Sequence, residues 1–255
     1  MTRRINLINK LKSYMMVILA ALVLTFCVLP ISAAASEETE SSETAVKDGL
    51  VTENGKLYYY KNGELVKDKL GIKIGKKYYK ISKKGVVTKV SEAAGRAGIQ
   101  LEKIGRSSSK SKTLKKAFTW CSSKITYRAS CGSPSSGQSA AAYYAIYGFK
   151  NKRGDCNVMA ATFYQMAKVL GYNAKYVTGL IISGTDSNGN VTYSSHAWVT
   201  IKISGKTYVY DPNFAYVYHT LNNNTQAHSG YKMTYTKTGS KLQYKYYSKS
   251  KKLYK

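Results

Sequence analysis

Three side chains in this sequence are of types, and stand in an order, that could move an acyl group: Cys156, His196 and Asp211. Attack on an amide carbonyl needs a nucleophile, a base that takes and returns a proton, and a group that orients the base. Asp155 stands where a helix N-cap belongs, which puts Cys156 in the first turn. There the unpaired backbone N–H groups and the helix dipole favour a thiolate, and the same N–H groups could hold the oxyanion its attack would form.

The base follows from strand register. With Ser204-Gly205 as a two-residue turn, Ile203 faces Lys206, Ile201 faces Tyr208, Val199 faces Tyr210 and Trp198 faces Asp211. His196 is then diagonal to Asp211 on one face of a hairpin, at roughly 7–8 Å between backbones, within reach of an imidazole and a carboxylate. Val199, Ile201 and Ile203 point the other way, toward a core, and leave the histidine face to meet the helix that carries Cys156.

Other reactive groups fit simpler roles. Cys121, Cys131 and Cys156 remain once the N-terminal segment is set aside, and an odd count in an oxidising compartment suggests one pair and one free thiol. Cys121 and Cys131 are close enough in sequence to bridge a short loop, but connectivity is not fixed by spacing. No Cys-x-x-Cys spacing supports a zinc site, and Asp186, Asn188 and Asn190 lack the glycine and glutamate of a calcium loop. No metal and no cofactor is expected. Trp120 and Trp198 read as core residues, His219 and His228 as surface residues, and Asp155 as a cap.

The elements that must position these groups run as helices and then strands from Ser91 onward, the order of an α+β domain. Lys115–Ser122 and Gln138–Tyr147 read as helices, the second ended by Gly148. Met159, Phe163, Met166 and Leu170 form one apolar stripe of a third helix that starts at or near Cys156 and stops at Gly171. Ala174–Ile182, Val191–Ile203 and Lys206–Asp211 read as an antiparallel meander joined by polar turns.

Taken together, Arg153-Gly154-Asp155-Cys156, Gly171-Tyr172, Tyr176-Val177-Thr178-Gly179, His196-Ala197-Trp198-Val199 and Asp211-Pro212-Asn213 resemble the transglutaminase-like superfamily in order and spacing, over roughly residues 113–216. The resemblance implies an α+β fold with a papain/transglutaminase-like core, a nucleophile-bearing helix packed on an antiparallel sheet. It carries Cys156, His196 and Asp211 over as the catalytic triad and identifies no second oxyanion donor. It implies a cysteine peptidase, amidase or protein-glutamine acyltransferase acting on amide bonds of peptides or proteins, with hydrolysis favoured over cross-linking. Two rivals stand beside it: a peptidoglycan endopeptidase of another Cys-His class, and a non-catalytic cell-wall-binding protein. Sortases place histidine before cysteine and are excluded by order.

The flanking sequence speaks to location. Arg3, Arg4, Lys10 and Lys12 precede an apolar run from Met15 to Leu29, and Ala33-Ala34-Ala35 offers a small-x-small cleavage site, so residues 1–35 read as a signal peptide. Residues 36–49 are acidic and hydroxyl-rich and read as a linker. Residues 50–90 read as β-hairpin repeats, since Gly55-Lys56-Leu57-Tyr58-Tyr59 is echoed by Gly75-Lys76-Lys77-Tyr78-Tyr79. They resemble the cell-wall-binding repeats of Gram-positive surface proteins but contain no tryptophan, which argues against a choline cage. Residues 91–255 form the expected enzyme domain.

The chain has 255 residues, 44% of them hydrophobic, with 40 Lys+Arg against 13 Asp+Glu. Loss of residues 1–35 removes four basic and no acidic side chains and leaves a net charge of +23. An exported protein so basic is expected to meet extracellular polyanions, a cell-wall polymer or another anionic glycan, with nucleic acid the weaker partner. The Lys- and Tyr-rich stretch Lys241–Lys255 fits either an adhesive face or a solvated strand edge. A secreted, extracellular location is expected, with no membrane span after signal cleavage, and residues 50–90 fit either wall association or a small structural hairpin module packed on the enzyme domain.

Overall fold

The computed structural model describes residues 46–217, 230–234, 244–247 and 253–254. The segment read as a signal peptide, most of the segment read as a linker, His219 and His228 lie outside the described residues.

Two-residue turns set the register of the hairpins. Asn54-Gly55 joins β1 (Gly49–Glu53) to β2 (Lys56–Lys61), and Asn62-Gly63 joins β2 to β3 (Glu64–Leu65). All four turn residues have positive φ, the backbone that matches the twist of paired strands. A second three-stranded sheet follows, β4 (Lys69–Ile74), β5 (Lys77–Ile81) and β6 (Val87–Val90). Here the repeated aromatic pair does not stand out as a platform. Tyr78 and Tyr79 are 7% and 6% exposed, and Tyr79 forms a small core with Ile81 and Val87.

The second sheet is bound to the helix after it. Ser91 caps α1 (Glu92–Lys103), its hydroxyl accepting the Ala94 N–H, and α1 lies against β4 through glycines. A Cβ on Gly98 would fall 2.2 Å from the Leu70 carbonyl oxygen, and one on Gly71 would fall 2.4 Å from that of Gly95. The Leu70 N–H donates to the Glu102 carboxylate at 2.8 Å, and Arg106 bridges Glu102 and Asp68. The hairpins and the helices that follow belong to one compact unit.

Helix α2 (Lys110–Lys124) is longer at both ends than the sequence pattern indicates and buries Leu114, Ala117, Phe118 and Cys121. Helix α3 (Ala140–Asn151) runs through Gly148, which is buried, and ends at Lys152 in the left-handed conformation. The glycine does not stop the helix. It allows α3 to approach the next one, since a Cβ there would meet Thr162 Oγ1 at 2.2 Å. Short strands β7 (Thr126–Tyr127) and β8 (Arg153–Gly154) pair in parallel and lead into α4 (Cys156–Val169).

The main sheet is antiparallel, built from β9 (Asn173–Thr185), β10 (Val191–Ile203), β11 (Lys206–Tyr210), β12 (Tyr244–Tyr247) and β13 (Leu253–Tyr254) in the order β11-β10-β9-β12-β13. The Lys- and Tyr-rich terminal stretch thus contributes strands to one side of the sheet. Met159, Phe163 and Met166 of α4 pack with Val199, Ile201 and Tyr210 of the sheet and Phe118 of α2. Phe118 meets Phe163 edge-on at 5.3 Å between ring centroids. A second cluster on the sheet joins Trp198, Val209, Val177, Ile181 and Met233. After β11 the chain enters the short helix α5 (Pro212–Tyr216).

Candidate active site

Local structure places each of the three residues. Asp155 is extended and caps α4, its Oδ1 accepting the Val158 N–H at 3.1 Å, so Cys156 is the first helical residue. The remaining first-turn N–H groups, of Cys156 and Asn157, take no side-chain acceptor among the described residues. They are donors available to a developing oxyanion.

The hairpin has the register read from the sequence. Ile203 pairs with Lys206, Ile201 with Tyr208 and Val199 with Tyr210, around a turn in which Ser204 and Gly205 have φ of 48° and 80°. Asp211 keeps an extended backbone but leaves the β10 ladder, its N–H donating to the Gly230 carbonyl, and with Pro212 as the first helical residue it caps α5. One carboxylate oxygen, Oδ1, accepts the Phe214 N–H at 2.9 Å, and the other, Oδ2, lies 2.6 Å from Nε2 of His196. The His196 ring stacks on Trp198, with 6.3 Å between centroids.

One expectation is corrected. The face bearing Val199 and Ile201 is the one that packs on α4, while the face shared by His196 and Trp198 is covered by the second cluster around Met233. His196 comes close enough to Cys156, the first residue of the helix, for the sulfur to add to the forces that favour the charged ring. Nε2 is the ring nitrogen engaged by Asp211, so a proton exchanged with the sulfur would have to pass through Nδ1.

The electrostatics favour a charged ring. Burial disfavours the imidazolium, but the charge and hydrogen bond of Asp211, with Cys156 adding to them, outweigh it and hold His196 up at about 10. Cys156 is partly exposed, His196 is 9% exposed and Asp211 is fully buried. The arrangement can therefore present a sulfur to solvent beside a charged imidazole whose orientation is fixed from behind.

Around this group lies a network that residue types alone do not disclose. The Tyr176 hydroxyl donates to Asn157 Oδ1 at 2.8 Å, and Asn157 Nδ2 donates to Asp155 Oδ2 at 3.1 Å. Tyr176 pairs with Val199 across β9 and β10, so register puts it on the helix side of the sheet. Cys131 accepts the Asp155 N–H at 3.3 Å, whereas Cys121 lies against Met166. All three cysteines are free thiols, so the bridged alternative is not the one found. Asp186 accepts the N–H groups of Asn188 and Asn190 and closes a turn, and no metal-binding cluster occurs among the described residues.

Residues 100–212 match the model of the transglutaminase-like superfamily. No curated protein matches the chain. Among solved structures, a candidate cysteine protease from Cytophaga hutchinsonii is 17% identical with a TM-score of 0.35, over 48% of this chain and 38% of that one. The periplasmic domain of TgpA from Pseudomonas aeruginosa is 15% identical with a TM-score of 0.36, over 51% and 45%, and its ethylmercury-bound form gives 16%, 0.36, 50% and 45%. The chain thus spans less than half the length of each. No helix among the described residues is long and apolar enough to cross a membrane.

Proposed function

We propose that the protein is a cysteine acyl-transfer enzyme acting on amide bonds of peptides or proteins, with Cys156 as nucleophile, His196 as general base and acid, and Asp211 as the group that orients His196. The observation that carries this reading is His196 held by the Asp211 carboxylate at 2.6 Å, with Cys156 at the first residue of α4 near enough to act on the same ring. The match of residues 100–212 to the transglutaminase-like superfamily supports it.

In the reading, the sulfur anion of Cys156 attacks the amide carbonyl carbon, and the carbonyl oxygen takes the negative charge beside the first-turn N–H groups of α4. The tetrahedral intermediate collapses as His196 gives its Nδ1 proton to the departing amine, leaving a thioester on Cys156. An incoming nucleophile then loses its proton to His196, attacks the thioester and releases the thiolate. The partial exposure of Cys156 supports water as that nucleophile, so hydrolysis is favoured over cross-linking. The signal-like segment 1–35 and the strong positive charge support action outside the cytoplasm, on or near anionic surfaces.

The test is incubation with an unstructured protein such as casein, with and without a fluorescent primary amine. The hydrolase reading gives new termini or carboxylates with little amine incorporation, and Cys156→Ala gives none. Amine incorporation that depends on Cys156 replaces hydrolysis with cross-linking. Equal turnover by wild type and Cys156→Ala rejects the assignment.

A further inference from the structure

Helix α2 is two-sided in a way that the fold does not require. Its inner face, with Leu114, Ala117, Phe118 and Cys121, is buried in the core. Its outer face repeats at helical spacing through Lys112, Lys115, Lys116, Trp120 and Lys124, and no acidic residue occurs anywhere in the helix. None of these four lysines is ion-paired among the described residues. Neighbouring acids commonly neutralise a solvated helix face through pairs three or four residues apart, and here that pattern is missing.

The outer face is also shaped. These residues line a shallow groove of about 480 Å³ along the helix. Trp120 lies in it half-buried, braced by Phe149 of α3, whose ring stacks with the indole at 6.2 Å and 24°. Lysine stems and an indole make an apolar floor while the ammonium groups form the rim. An apolar aromatic surface beside several cations suits a ligand with hydrophobic C–H faces and regularly placed anions. That combination is found in a carboxylated sugar chain and not in a bare polyanion.

We propose that the outer face of α2 is a binding groove for an anionic polysaccharide, with Trp120 stacking on sugar rings and Lys112, Lys115, Lys116 and Lys124 pairing with their carboxylates. The groove is separate from Cys156, His196 and Asp211, so binding does not depend on catalysis. Its last residues lead through Ile125 into β7, which pairs with the strand preceding Cys156, so a bound chain would lie near the reactive end of α4.

The test is binding of the full chain to polygalacturonate, compared with neutral dextran, polyphosphate and phosphatidylglycerol vesicles at two salt concentrations. Lys112, Lys115 and Lys124 are exposed, and changing all three to Gln should weaken polygalacturonate binding by about tenfold or more, without changing the melting temperature. Lys175, Lys202 and Lys206 are exposed on the main sheet, and the same change there should have little effect. Trp198 is buried, so protection from acrylamide quenching on adding polygalacturonate should come from Trp120. Equal losses in the two triple variants, or absence of protection, overturn the proposal in favour of net charge alone. Equal or tighter binding to polyphosphate or to vesicles overturns it in favour of a sugar-independent anion surface or a membrane.

Discussion

One carboxylate of Asp211 serves two elements: Oδ2 lies 2.6 Å from Nε2 of His196, and Oδ1 caps the helix that follows, at 2.9 Å from the Phe214 nitrogen. The orientation of the imidazole and the end of β11 are therefore fixed by the same group. Asp211→Asn keeps the shape and the cap acceptor but loses the charge that holds His196 protonated. We predict a loss of about 10²-fold or more in kcat/KM with little change in folding. Asp211→Ala should lose a similar factor and also about 1 kcal/mol from the missing cap, read as a lower urea midpoint.

The pH dependence has a definite sign. His196 is raised from 6.5 to about 10, so the charged ring persists through neutrality and is lost only as pH rises toward that value. Its contribution to stability is complete below the unfolded value and disappears as pH passes the folded one. The alkaline limb of kcat/KM should accordingly lie well above neutral pH, and in Asp211→Asn it should move to lower pH. An alkaline limb unchanged by that substitution contradicts the assignment of the imidazolium to the Asp211 pair.

The Tyr176–Asn157–Asp155 network should act on the position of Cys156 and leave the fold standing. Tyr176→Phe removes one hydroxyl and leaves Asn157 to water. The expected result is a several-fold fall in kcat with KM nearly unchanged and a destabilisation of about 1 kcal/mol. Steady-state kinetics beside a urea melt separates the two.

Gly98→Ala tests the seam between α1 and β4. Alanine favours a helix by about 1 kcal/mol over glycine, so on propensity alone the variant should gain stability. A Cβ there would lie 2.2 Å from the Leu70 carbonyl oxygen, and the expected outcome is a net loss of at least about 1 kcal/mol, measured by thermal or urea unfolding.

The chemistry was more legible in the sequence than the packing. Asp155 before an apolar stripe identifies the start of α4, and Ser204-Gly205 fixes the register that brings His196 to Asp211, because both are local devices. Alternation along β10 does not reveal which face the helix takes. Ala197, Val199 and Ile201 are apolar on one face and Trp198 on the other, and Trp198 is covered from a distant part of the chain, around Met233. Helix α1 carries Gly95 and Gly98, which lower helix propensity, and their purpose appears only when β4 lies against them. Gly148 misleads in the same way. The Tyr176 network is absent from any spacing rule, since its members meet only after β9 and α4 pack together.

The central claim is that His196 activates Cys156, and the most direct measurement is the rate of alkylation of that sulfur by iodoacetamide near neutral pH, followed by peptide mass spectrometry. Cys121 and Cys131 are buried and Cys156 is partly exposed, so labelling should begin at Cys156. The account predicts that Cys156 reacts faster than an ordinary thiol and that His196→Ala loses this excess. Equal rates in the wild type and in His196→Ala would contradict it.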